Sequence, residues 1–121
     1  VFARYNFMST LNICGQRLVR FFEIVSSLYR DENPYHNKIH AADVLQTVHV
    51  FLIVNDMREN FSDVELLAVL FSAVTHDVGH LGINNAFLSK IRHPLARITN
   101  DSSVLETCHA VLGLAILEAP E

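Results

Sequence analysis

Ser62-Asp63-Val64-Glu65, followed without a break by Leu66-Leu67-Ala68-Val69-Leu70-Phe71-Ser72-Ala73-Val74-Thr75-His76-Asp77, decides how this chain folds. A serine with a glutamate three residues later is a capping box. The serine hydroxyl accepts from an amide of the first turn, and the glutamate reaches back to the serine amide. From Leu66 to Val74 only Ser72 is polar, which predicts a central helix covered on every side. Such a helix has no reason to carry charge, yet it runs straight into His76-Asp77-Val78-Gly79-His80. Gly79 and Gly82 are its stop signals.

Outward from this stretch the apolar residues recur three and four apart, with no sustained alternation, so the pattern predicts an all-α, compact multi-helix fold. A first long helix is expected from about Gly15 to Tyr29, with Leu18, Phe21, Phe22, Val25 and Leu28 on one side, ending in Asp31-Glu32-Asn33-Pro34. A loop then presents Tyr35, His36 and Asn37. The next helix, about Lys38 to Val54, puts Ala41, Val44, Leu45, Val48 and Leu52 on a core face and is broken by Asn55 and Asp56. His40, one turn before Val44, points the same way. A short helical piece over Asn85–Ile91 follows, then a last helix from about Val104 to Glu118, capped by Asp101 or Ser102.

Composition narrows the function. Half of the 121 residues are apolar, 18% are charged and four are glycine, the profile of one packed domain or part of one rather than a disordered or collagenous chain. The net charge is -4 with nine scattered Lys and Arg, so the basic surface of a DNA or RNA binder is missing. Cys14 and Cys108 form no C-x-x-C pair, which fits a reducing, cytoplasmic setting; both read as buried thiols. The longest apolar run, Val44 to Val54, is interrupted by Gln46, Thr47 and His49, too polar to span a bilayer, so a soluble chain is expected. The opening Val1 and the ending Ala119-Pro120-Glu121 suggest a piece of a larger protein. A homodimer is one candidate assembly.

Four of the seven histidines fall in two motifs, Tyr35-His36-Asn37-Lys38-Ile39-His40 and His76-Asp77-Val78-Gly79-His80. Side chains four apart share a helix face, about 6 Å apart along the axis. Imidazoles with one carboxylate are the ligand set of zinc and similar dications, so a metal is the simplest common explanation. The end of the helix before His76 carries the negative pole of its dipole, which favours a cation. A buried, unpartnered Asp77 would cost several kcal/mol, a penalty that a bound dication removes. His49, His93 and His109 read instead as hydrogen-bonded or half-exposed structural histidines. Asp43 could orient His40 or be an ordinary solvated acid, and Glu106 on pattern alone is a first-turn dipole partner.

These residues resemble the catalytic domain of the class I 3',5'-cyclic nucleotide phosphodiesterases, a branch of the HD-domain metal hydrolases. Three blocks carry the resemblance in order: Tyr35-His36-Asn37 with His40-Ala41-Ala42-Asp43-Val44; His76-Asp77-Val78-Gly79-His80 with Gly82 and Asn85; and Asn100-Asp101 with Ser103-Val104-Leu105-Glu106. Order and spacing follow the family from about Gly15 to Leu117. The resemblance implies an all-helical domain, here its amino-terminal portion, holding two divalent cations, zinc with magnesium or manganese. It implies His40, His76 and Asp77 as metal ligands, with Asp77 shared by both ions. His80 would steer metal-bound water without touching an ion, Glu106 would hold water on the second ion, and Tyr35 would contact substrate.

The implied reaction is hydrolysis of cAMP or cGMP to the 5'-monophosphate by a two-metal-activated hydroxide, with His36 as general acid for the departing 3'-oxygen. An acid must carry its proton, whereas a ligand imidazole must be neutral, which separates His36 from the ligands. The chain departs from the family pattern at Gly79 and Leu81, where many members have an acid and a proline, and at Cys108-His109, where many have paired histidines. None of these positions is expected to bind metal directly, so tuning is expected. The resemblance also implies a further ligand aspartate and a purine-gripping glutamine beyond Glu121, so the 121 residues alone are expected to be inactive. The alternatives are another HD-type phosphohydrolase and a non-catalytic helical module that keeps its ligands as a relic.

Overall fold

The structure, a computed structural model, describes residues 1–54 and 56–119. Helices α1 (Phe7–Thr10), α2 (Gly15–Leu28), α3 (Lys38–Val54), α4 (Asp63–Thr75), α5 (Asn85–Lys90), α6 (Pro94–Ile98) and α7 (Val104–Glu118) follow one another. Short 3-10 turns cover Phe2–Tyr5 and Met57–Asn60, and no strand occurs among the described residues. The chain is all-α, as its periodicity predicts. No described helix is long and apolar enough to cross a membrane.

Helix α4 is the organising element, and its start is the expected capping box. Ser62 Oγ accepts from the Glu65 amide at 3.3 Å while Glu65 Oε2 accepts from the Ser62 amide at 2.8 Å. Its neighbours are α3, α7 and α1. Leu66, Leu70, Ala73 and Val74 are buried, but Val64, Ala68 and Ser72, stacked at four-residue intervals, are exposed. The expectation of a helix covered on every side is thus corrected. Apolar composition permits full burial, but the described residues leave one stripe of the helix uncovered.

Aromatic residues lock the long helices together. Phe21 stacks on Phe71 with centroids 4.6 Å apart, and Phe2 meets Phe22 edge-on at 4.8 Å. Phe2, Tyr5 and Phe7 join Leu52, Leu66 and Leu70 in one buried cluster, so the amino-terminal segment gives three side chains to the core while the other seven of its first ten residues stay exposed. Tyr29, just past α2, is buried and donates its hydroxyl hydrogen to the Val74 carbonyl at 2.9 Å. That carbonyl lies in the last turn of α4, where intrahelical partners run out. Burial is the largest cause that lifts the Tyr29 phenol to about 12.

Other local expectations shift. Helix α7 starts at Val104 as expected, but Ser103 is its N-cap, with a φ of 43° and no side-chain cap bond. The Leu105 amide instead donates to Asn85 Oδ1 at 3.0 Å. Helix α6 starts on Pro94, the favoured first position, and is capped by His93 Nδ1, which accepts from the Leu95 amide at 3.2 Å. The expected break of α3 at Asn55 lies outside the described residues, as do Pro120 and Glu121; Asp56 adopts a left-handed φ of 49°.

Cys14 and Cys108 are not both buried. Cys108 is half-buried and Cys14 is exposed. Cys14 is the N-cap of α2, at the helix end rather than on its apolar face, and the backbone amides of Arg17 and Gln16 in the first turn pull its thiol below the usual range without a capping hydrogen bond. Helices α4 and α7 cross closely at the buried Gly113, where an added Cβ would stand 3.2 Å from Thr75 Oγ1.

Candidate metal centre

Two backbone reversals bring the histidine motifs together. Before α3, Asn37 Oδ1 accepts from the amides of Ile39 and His40 at 3.0 and 3.2 Å, which fixes the helix start and places His40 in its first turn. After α4, the His76 backbone closes the helix. The Val78 amide then donates to the Thr75 carbonyl at 3.0 Å and the His80 amide to the Asp77 carbonyl at 3.0 Å. Gly79 and Gly82 take left-handed φ values of 74° and 78°, which a side chain would oppose.

The result is a triangle of donor atoms. His76 Nε2 lies 3.2 Å from His40 Nε2 and 3.1 Å from Asp77 Oδ2, and His40 Nε2 lies 3.4 Å from the same oxygen. A tetrahedral ion holding N and O ligands at about 2.0–2.1 Å separates them by about 3.3–3.4 Å. The three donors therefore already stand close to the spacing that an ion imposes. His76 Nδ1 donates to the Ala73 carbonyl at 3.0 Å, which leaves Nε2 as the ligand atom, the usual outer contact of a metal-binding imidazole. By donor type and spacing the trio fits a divalent cation.

Asp77 also faces a second group. With His80 and His109 it presents ligand-type atoms within 4.8 Å of one another. These two imidazoles are otherwise engaged. His80 Nδ1 accepts from the Gly82 amide at 2.9 Å, so its proton sits on Nε2, and burial, then the His36 ring, push its pKa below the ordinary value. His109 Nδ1 donates to the Val78 carbonyl at 2.8 Å, and its Nε2 stands 3.8 Å from Asp77 Oδ1. His49 is bonded to the Tyr5 hydroxyl at 2.8 Å. Like His93 and His109, it has a structural hydrogen bond.

His36 lies in the loop before α3, its ring parallel to that of His80 with centroids 3.8 Å apart and 6.1 Å from the His40 ring. Its ring nitrogens enter no hydrogen bond among the described residues. Tyr35 is 61% exposed, its ring 4.4 Å from that of His40. Asp43 is exposed on α3. Glu106 is exposed on the first turn of α7, where Asn85 Nδ2 donates to both its carboxylate oxygens at 3.3 and 3.0 Å and holds it below the usual carboxylate range.

Sequence reasoning missed how close His109 comes to the acid. Its spacing of three from Glu106 puts both on one face of α7, a signal that was present but weak. Asn33 gave no signal beyond its turn composition.

A helical scaffold that gathers two imidazoles and a carboxylate at its centre defines a candidate metal-binding α domain. The family model for 3'5'-cyclic nucleotide phosphodiesterases matches residues 35–121, and the chain belongs to that family. The chain is 40% identical over 92% of its length to a 3',5'-cyclic-AMP phosphodiesterase 4C of Rattus norvegicus, covering 21% of that protein. It is 43% identical over 88% of its length to the dual specificity calcium/calmodulin-dependent 3',5'-cyclic nucleotide phosphodiesterase 1B of Homo sapiens, covering 20% of it. Among solved structures, the phosphodiesterase domain of the RhoPDE fusion protein from the choanoflagellate Salpingoeca rosetta superposes with a TM-score of 0.90 at 36% identity, over 98% of this chain and 37% of that one. The chain thus spans about a fifth of these curated relatives.

Proposed function

We propose that the protein hydrolyses a 3',5'-cyclic nucleotide to the 5'-monophosphate, with His36 as general acid and His40, His76 and Asp77 as metal ligands. The observation that carries this reading is the donor triangle with edges of 3.1 to 3.4 Å, beside a histidine ring whose nitrogens are uncommitted among the described residues. Divalent ions held there, a zinc with a magnesium or manganese, supply Lewis acidity toward the phosphate and lower the pKa of water.

The chain's own residues do the rest. Asp77 Oδ2 faces His40 and His76, while Oδ1 faces His109, so its two oxygens serve two positions. His36 gives a proton to the departing 3'-oxygen, which leaves poorly as an alkoxide. His80, neutral and donating from Nε2, orients water at the centre, and Glu106, fixed by Asn85, does the same from the side of α7. Tyr35 offers its exposed ring to the substrate. Among the described residues three protein donors converge, and the 121 residues alone bind metal weakly and do not turn over.

In the full-length protein, His36→Ala should lower turnover by about 10²–10⁴-fold with metal content unchanged, whereas His76→Ala or Asp77→Ala should lose metal and turnover together. Equal metal loss in all three variants would make His36 a ligand and refute its role as acid. Hydrolysis of other phosphate esters with no preference for a cyclic nucleotide would place the protein among other HD-type phosphohydrolases.

A further inference from the structure

Asn33 sits in the turn after α2, only 6% exposed, and its carboxamide joins two stretches that carry the chemistry. Its Nδ2 donates to the His36 carbonyl at 3.0 Å and to the His80 carbonyl, 47 residues away, at 2.9 Å. A primary amide nitrogen has two hydrogens, and both are used. On the other side Oδ1 lies against Gly82, where an added Cβ would come within 2.6 Å of it. Position 82 thus leaves room for this side chain and no more. The main chain of Asn33 is held as well. Its amide donates to the Arg30 carbonyl at 3.2 Å and its carbonyl accepts from Asn37 Nδ2 at 2.9 Å.

We propose that Asn33 is the positioning residue of the general acid. No helix holds His36, so something else must fix where its ring stands. Asn33 fastens the His36 backbone to the His80 backbone. The His80 ring is itself pinned by the Gly82 amide, and the two rings lie parallel at 3.8 Å. The same asparagine, through Asn37, touches the residue that starts α3 and places His40 in its first turn. One buried amide therefore sets the acid relative to the ligands. Asn33→Asp keeps the shape and removes both donors, turning an acceptor toward two carbonyls. Asn33→Ser keeps one donor.

The inference rests on the reading of His36 as acid, and a double-mutant cycle separates the two. In the metal-loaded full-length protein acting on cAMP and cGMP, Asn33→Asp should lower kcat by about ten- to a hundredfold, the scale of a displaced catalytic group. KM and metal content should stay unchanged. In a His36→Ala background the same substitution should change kcat less than twofold, because a residue that works only through the acid has nothing left to position. If Asn33→Asp does not fold, Asn33→Ser runs the same cycle with a smaller loss. Equal losses in both backgrounds, or loss of metal or fold with both substitutions, would overturn the inference while leaving His36 as acid. A His36→Ala enzyme as active as the parent would overturn the acid reading itself, and this inference with it.

Discussion

Gly79→Ala tests whether the turn that joins Asp77 to His80 requires glycine. Position 79 has a φ of 74°, and an added Cβ would lie 2.6 Å from Leu112 Cδ1. Two costs combine. The left-handed backbone costs an alanine about 1–2 kcal/mol. The contact is about 1 Å shorter than ordinary carbon–carbon packing, but the Leu112 methyl is the free end of a side chain that can swing away. This steric share therefore sits near the low end of overpacking costs, about 1 kcal/mol. Together they give about 2–3 kcal/mol, a large part of a normal folding free energy.

A denaturant melt followed by far-UV circular dichroism reads the change in midpoint. Two companions divide it. Gly79→Asn keeps the Cβ but tolerates the left-handed region, so it should cost less than Gly79→Ala. In a Leu112→Ala background, Gly79→Ala should cost less by the steric share alone, the backbone share remaining. An unchanged midpoint for Gly79→Ala, or an asparagine as costly as the alanine, would refute this account of the turn.

Three further outcomes are expected. His80 and His49 both have pKa values held below the ordinary 6.5, burial being the first cause in each. The unfolded chain therefore takes up protons first, and stability should fall as pH drops through about 6.5, levelling out below the folded-state values; a midpoint that rises on acidification over this range would contradict the sign. Tyr29→Phe leaves the Val74 carbonyl without its buried donor and should cost about 1–3 kcal/mol, read in the same melts; a neutral result would mean that the carbonyl finds water. Zinc added to the folded chain at about a hundred times its Kd should raise stability by about 2.7 kcal/mol, and His76→Ala should abolish the gain; an equal gain in that variant would place the ion elsewhere.

Much of the scaffold is legible because its causes are local. The Ser62–Glu65 box lies within four residues, and α3, α4 and α7 carry enough turns for periodicity to show. The segment holding Phe2, Tyr5 and Phe7 is built from two four-residue pieces, too short for any period, and its burial depends on Leu52, Leu66 and Leu70 far along the chain. Proximity of His40, His76 and Asp77 could be expected from residue type. The clip at Asn33 could not, since Asp31-Glu32-Asn33-Pro34 reads as a turn and is one, while the His80 carbonyl that completes its bonding is set by tertiary packing. Cys14 misled for the opposite reason: a thiol is apolar by composition, but as a helix cap it faces outward.

The close crossing at Gly113 gives the molecule a built-in shim. Thr75 ends the helix that presents His76 and Asp77, and one turn before Gly113 on the opposing helix stands His109, facing that same aspartate. The gap between the two helices is narrow there, since an added methyl would stand 3.2 Å from the Thr75 hydroxyl oxygen, a few tenths of an ångström tighter than ordinary contact. Bulk introduced there would act as a wedge, prising His109 from its acid without touching either. Position 113 thus sets how near His109 stands to Asp77, from a point that neither side chain touches.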